Sequence, residues 1–206
     1  MPSTPYRWRT LTPEQKLELT FHRRQKNRPW HSPPHRPNFD LYSFHITAAC
    51  YQHMPHIGLN PERMDSFSQD LLKACTPHIE KLFAWCLLPN HYHLLVKAPD
   101  LRPLLTELGR LHGRTSYLWN REEQTRGRQV FYRSTDRAIR SGRHYFATLN
   151  YIHHNPIHHH YTTRWQDWPW SSATEYLELT GNTQATHIWK TYPILNYGQG
   201  WDDPNL

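Results

Sequence analysis

Pro89-Asn90-His91-Tyr92-His93-Leu94-Leu95-Val96 decides how this chain folds. Side chains on a β-strand alternate between two faces. His91 and His93 therefore share one face, with Leu95 beyond them, while Tyr92, Leu94 and Val96 fill the other. A strand with polar residues on one face and apolar residues on the other needs a core behind it and leaves its front for chemistry. Two imidazoles side by side supply half of a site for a divalent metal ion, with positions left for other protein groups and a substrate oxygen. A pair of partly exposed strand histidines would read the same way, and the chain holds 17 histidines.

Working outward, Lys81 to Leu88 pairs with His91 to Ala98 across the Pro89-Asn90 turn. Upstream, Leu41 to Cys50 alternates as a strand, and Asn60-Pro61-Glu62 opens a helix that reaches about Cys75, with proline at the first helical position. Downstream, a helix is predicted from near Pro99-Asp100 to about Trp119, then a short strand over Val130-Phe131-Tyr132-Arg133. Strand, helix, strand, strand, helix, strand is the split ferredoxin-like order of an α+β fold.

Tyr145, Leu149 and Ile152 fall at helical spacing after Gly142, which predicts a helix ending near Asn155, just before Pro156. Tyr151 and Asn155 then stand four residues apart on one face. An amide oxygen is a competent ligand for a magnesium-like ion, and a phenol beside it can attack a phosphate. Packing plus a helix cap accounts for the same letters. The histidines of the following stretch, His153, His154, His158, His159 and His160, keep a zinc-dependent hydrolase open as an alternative.

Asn90-His91-Tyr92-His93, Tyr151-Ile152-His153-His154-Asn155-Pro156 and Asp167-Trp168-Pro169-Trp170-Ser171-Ser172 together resemble the REP-associated tyrosine transposases, single-tyrosine HUH enzymes related to insertion-sequence transposases of single-stranded DNA. The first stretch matches the His-hydrophobic-His motif, the second the tyrosine, asparagine and proline order, the third a tryptophan-rich signature. The resemblance spans roughly residues 39 to 180. It implies an HUH core with a largely antiparallel sheet, Tyr151 as nucleophile, and His91, His93 and Asn155 as ligands of Mg²⁺ or Mn²⁺. It further implies cleavage and rejoining of single-stranded DNA at palindromic, REP-like hairpins through a 5′-phosphotyrosine bond. A hairpin-binding module without turnover would keep the same residues. Monomer and homodimer both fit the resemblance.

Charge is uneven along the chain, whose net formal charge is +7. Residues 1–38 carry 8 Lys and Arg against 2 Asp and Glu, and residues 102–143 carry 10 against 4. Two basic segments beside an acidic remainder suit a polyanion. Arg23, Arg24, Lys26 and Arg28, with Arg110, Arg114, Arg133, Arg137 and Arg140, are the candidate DNA contacts. Residues 1–38 read as a basic helix and a proline-rich linker, 39–180 as the transposase domain and 181–206 as a C-terminal tail. No apolar run is long enough for a membrane span and no signal-peptide core is evident, so the expected location is cytoplasmic, with the nucleoid. Cys50, Cys75 and Cys86 contain no CxxC pair and read as reduced packing residues.

Overall fold

Four strands form the sheet: β1 (Ser43–Ala49), β2 (Lys81–Leu87), β3 (His91–Lys97) and β4 (Thr135–Ala138). The computed structural model describes residues 42–195 and 197, together with Thr12 and Glu14. The spatial order is β2-β3-β1-β4 and every neighbouring pair is antiparallel. Between β1 and β2 lies α1 (Pro61–Cys75), and between β3 and β4 lies α2 (Leu101–Glu122). The architecture is α+β with the split order read from the sequence. A third helix, α3 (Gly142–His158), follows β4, and α4 (Ala173–Thr180) and α5 (Asn182–Thr191) complete the described chain.

The three long helices, α1, α2 and α3, each start where the sequence supplies a cap. The Asn60 side chain accepts the Arg63 N–H at 2.8 Å ahead of Pro61, Asp100 accepts from Arg102 at 3.0 Å, and Ser141 accepts from His144 at 3.1 Å. Such side-chain oxygens satisfy amides that have no partner inside the helix, each contributing about 1 kcal/mol.

Register sorts the residues between the two faces of the sheet. Phe44, Ile46 and Ala48 stand opposite Val96, Leu94 and Tyr92, and this face meets Met64, Phe67 and Leu71 of α1 and Leu104, Leu108 and Leu111 of α2. Most of these side chains have no exposed surface. At about 1.5–3 kcal/mol for each fully buried large aliphatic or aromatic side chain, this layer carries the main apolar stabilisation. The opposite face presents Thr47 beside His93, and Ala49 beside His91, with α3 packed over β2 and β3. Tyr92 is the exception on the apolar face. Its buried hydroxyl meets His112 Nε2 at 3.1 Å, and the His112 ring stacks on Phe131 with centroids 4.3 Å apart.

Two elements differ from the sequence reading. The predicted strand over Val130 to Arg133 makes only a single bridge, Phe131 to Cys50, and the fourth strand is Thr135–Ala138. Val130 and Phe131 are apolar because they are buried under α1 and α2, whereas the true strand pairs on one side only and shows no apolar alternation. The second difference is the end of α3, which runs through Pro156 to His158. Proline holds the helical φ but lacks the amide that would have bonded the Ile152 carbonyl, and its ring crowds that carbonyl. The final turns are closed by His159 N–H donating to the Asn155 carbonyl and Tyr161 N–H donating to that of Pro156.

The tryptophan-rich segment lies along the outer side of β2. Leu87 N–H donates to the Trp170 carbonyl, Ser172 N–H donates to the Trp85 carbonyl, and Trp168 Nε1 donates to the Leu87 carbonyl at 2.8 Å. Trp170 Nε1 reaches Asp65 of α1 at 2.7 Å. Ser172 Oγ accepts from the Trp85 amide and meets His153 Nε2 of α3, both at 2.9 Å. This segment thus ties β2 to α1 on one side of the sheet and to α3 on the other.

Candidate active site

His91 and His93 project from β3 toward α3, with ring centroids 4.9 Å apart and almost no exposed surface. Asn155, fully buried on α3, brings its Oδ1 to 2.9 Å from His91 Nε2. Tyr151, one helical turn earlier, sets its ring 5.2 Å from that of His93 in an edge-on arrangement. The four residues singled out on two separate segments are therefore brought to one corner between β3 and α3.

The ring nitrogens are committed in a specific way. Asn90 Oδ1 lies 2.7 Å from His91 Nδ1, while the Asn90 amide nitrogen donates to the His53 carbonyl. The oxygen end of Asn90 thus faces the imidazole, and Nδ1–H is the donor that satisfies it. Nε2 is left with its lone pair toward Asn155. Asn155 meets it with Oδ1, and its own Nδ2 has no hydrogen-bond partner. Without a cation, turning the amide would close the contact through Nδ2; with one, imidazole and carbonyl converge as ligands. His93 is held from Nδ1, 2.9 Å from Thr47 Oγ1 and 3.2 Å from His45 Nε2. Its Nε2 is the atom a metal ion would take. Two imidazoles and an amide oxygen are a donor set suited to a divalent cation, and the tautomer of His91 together with the unpaired Asn155 nitrogen fits such an occupant.

Three further residues complete the corner. His45, next to the centre of β1, is buried and its ring lies 6.0 Å from Tyr151. The strand alternation of Phe44-His45-Ile46-Thr47 already places His45 and Thr47 opposite the apolar residues. Tyr197 packs its ring 5.4 Å from Tyr151 and bonds Thr148 Oγ1 at 2.6 Å, with His45 Nδ1 and His144 Nε2 each at 3.4 Å. Nothing local in the sequence links position 197 to α3. The segment assigned from sequence to a tail thus carries α5 and a tyrosine that helps leave Tyr151 only 5% exposed. His159 is the third, its ring 4.9 Å from that of His91.

Of the candidate DNA contacts, Arg137 stands opposite His45 in register and so shares the His45 face of the sheet. Desolvation draws its guanidinium below its usual range, against the opposing influence of the Tyr197 and Tyr151 phenols. Arg133 and Arg140 are exposed on either side of β4. Arg110 and Arg114 lie on α2, across the sheet from Tyr151, each 3.3 Å from Glu107. Arg23, Arg24, Lys26 and Arg28 fall outside the described residues.

The second histidine cluster is brought together only in part, His158 and His159 setting their rings 5.0 Å apart while the others face elsewhere. His153 bonds Ser172, where burial depresses its pKa to about 3, and His154 packs on Trp189. His160 is exposed beyond the helix. Among the described residues no group of three or more His, Cys, Asp and Glu side chains is placed to hold a metal ion. All three cysteines are free and buried. No helix among the described residues is long and apolar enough to cross a membrane.

No family model matches the chain. Over 119 residues it is 26% identical to a Haemophilus influenzae protein described as a putative REP-associated tyrosine transposase, an alignment covering 53% of this chain and 68% of that protein. Among solved structures it matches a REP-associated tyrosine transposase bound to a REP hairpin, with a TM-score of 0.54 and 16% identity over 70% of this chain and 84% of that one. The resemblance carried by the three motifs is met by a homologue of that name and by the fold of that structure.

Proposed function

We propose that this chain is a single-tyrosine HUH enzyme that cleaves and rejoins single-stranded DNA at REP-like palindromic hairpins, with Tyr151 as nucleophile and His91, His93 and Asn155 holding Mg²⁺ or Mn²⁺. The observation that carries the reading is the meeting of His91 Nε2 and Asn155 Oδ1 at 2.9 Å, one helical turn from a tyrosine set edge-on to His93. A homologue named for this activity and a structural neighbour bound to a REP hairpin support the substrate class.

A bound divalent ion would supply Lewis-acid neutralisation of a non-bridging phosphate oxygen. The protein's own groups do the rest. α3 fixes Tyr151 and Asn155 on one face, so the phenolic oxygen approaches phosphorus from a defined direction. The phenol gives up its proton as its oxygen bonds phosphorus, and the 3′ oxygen departs and gains one. A 5′-phosphotyrosine and a free 3′-OH result. Because the bond energy stays in the phosphotyrosine, an incoming 3′-OH reverses the step without a nucleotide cofactor. Arg137, which shares the His45 face of the sheet, would meet the phosphates flanking the scissile one. Tyr197 must yield part of the cover over Tyr151 for the strand to enter.

The deciding experiment incubates the protein with hairpin oligonucleotides carrying single-stranded feet, with Mg²⁺ or Mn²⁺, and runs a denaturing gel. The expected result is a covalent protein–DNA band that requires Tyr151. Hairpin binding with no adduct from the wild-type protein would leave a binding module without turnover.

A further inference from the structure

We infer that Asn90 is a positioning residue for the metal site: it keeps the His91 proton on Nδ1 and so presents Nε2 as the metal-facing lone pair. The inference rests on the metal reading above and extends it to a residue that holds no ion itself. Its basis is a series of contacts that leaves the Asn90 side chain one orientation. Its Nδ2 donates to the His53 carbonyl at 3.2 Å, its Oδ1 lies 2.7 Å from His91 Nδ1, and its backbone carbonyl accepts from Cys50 N–H at 2.7 Å. Rotating the amide would forfeit the His53 bond and set the Asn90 Oδ1 against the His53 carbonyl oxygen, two acceptors facing each other.

The support beneath Asn90 is itself under strain. Gln52 and His53 both adopt left-handed backbone conformations, with φ of 54° and 53°. For residues with a side chain this conformation is unfavourable and persists only where the surroundings enforce it. Here Gln52 N–H donates to the Tyr132 hydroxyl at 3.2 Å and His53 N–H to the Cys50 carbonyl at 3.0 Å. The outcome of that turn is a His53 carbonyl aimed at Asn90. On the other side, Gly58 N–H donates to the Pro89 carbonyl, and a Cβ at Gly58 would stand 2.3 Å from the Pro89 Cβ. Only glycine permits that approach. The loop between β1 and α1 thus grips the Pro89-Asn90 turn from two directions, and the one side chain passing its order on to the ligand set is Asn90. Hydrogen bonds of this outer kind choose which ring nitrogen of a histidine is left to bind metal.

The test reads the proton and the metal separately. Long-range ¹H–¹⁵N NMR of the metal-free protein at alkaline pH, with the His91 signals assigned by their loss in His91→Gln, should show the Nδ1–H tautomer in the wild type and in Asn90→Asp, which keeps the acceptor. Asn90→Ala should shift His91 toward Nε2–H and weaken Mn²⁺ binding, measured by electron paramagnetic resonance, by about 10–100-fold. Asn90→Asp should stay within a few-fold of wild type. Hairpin affinity in EDTA should be unchanged in both variants, a result that a general loss of structure would not give. A wild-type His91 carrying its proton on Nε2 would overturn the inference without any variant having to fold. So would an Asn90→Ala protein with unaltered tautomer or unaltered Mn²⁺ affinity. Failure of the wild type to bind Mn²⁺ would overturn the metal reading beneath it, whichever tautomer His91 shows.

Discussion

The two faces of the one sheet are built from the same strands and put to opposite uses. Behind β1 and β3, Phe44, Ile46, Leu94 and Val96 meet α1 and α2 in a dry layer. In front, the buried His45, His91 and His93 face α3, with the half-buried Thr47 beside them, in a layer held by hydrogen bonds between rings, hydroxyls and amides. A shift of one residue along β3 would exchange the two sets. The apolar face therefore pins the register that aims the polar one. Polar groups buried without water hold their geometry only when their partners are in place, so the front face is sensitive to chemistry where the back is sensitive to volume.

Tyr151→Phe gives the largest expected separation of the two. It removes one oxygen from the front face and should lower adduct formation on hairpin DNA by more than about 1,000-fold, with hairpin affinity within a few-fold and unfolding unchanged. A variant that still forms the adduct would move the nucleophile elsewhere, with Tyr197, 5.4 Å away, the next to replace.

Leu94→Ala is the counterpart on the back face. Leu94 has no exposed surface, and its truncation should cost about 2–5 kcal/mol in denaturant unfolding. Activity per folded molecule should stay near that of the parent at low temperature. A large loss of cleavage in fully folded Leu94→Ala would show that the faces are coupled more tightly than their packing implies.

Acid should find the back face through His112. Burial lowers its pKa from 6.5 to about 4, so the unfolded chain takes up its proton first as pH falls. Its contribution is present above about pH 6.5 and is lost between there and pH 4, amounting to as much as about 3 kcal/mol. Denaturation midpoints of wild type and His112→Leu across that range check this. The variant should show the shallower fall, and parallel curves would place the acid sensitivity at another group.

Ser172→Ala tests the tie between the two layers and has the smallest expected effect. It removes the partner of both His153 and the Trp85 amide, which should cost about 1–3 kcal/mol. Because His153 lies two residues from Tyr151 on α3, cleavage should also slow by several-fold. Unaltered cleavage with lowered stability would make the tryptophan-rich motif a matter of folding alone.

What the sequence made legible follows the same division. β1, α1, β2, β3 and α2 could be read because each buries one face and exposes or specialises the other, which leaves a period. β4 could not, because Thr-Asp-Arg-Ala is paired on one side only and its positions are half-buried or exposed. In the site, His91, His93, Tyr151 and Asn155 stood out by their short spacings. His45 was visible only as a polar residue on an otherwise apolar-alternating strand. Tyr197 is brought in by a turn after α5, its N–H donating to the Ile194 carbonyl, that no local pattern announces.

The segment from Trp168 to Ser172 has a consequence for association. It takes up the outward amides and carbonyls of both Trp85 and Leu87, so β2 offers no open row of donors and acceptors there for a strand from another molecule. At the far end of the sheet, among the described residues, β4 is four residues long and carries Arg137 among its exposed positions. A short, charged border is a poor template for strand addition. Within these residues the sheet thus closes one border and shortens the other, and both discourage pairing with a second copy of itself.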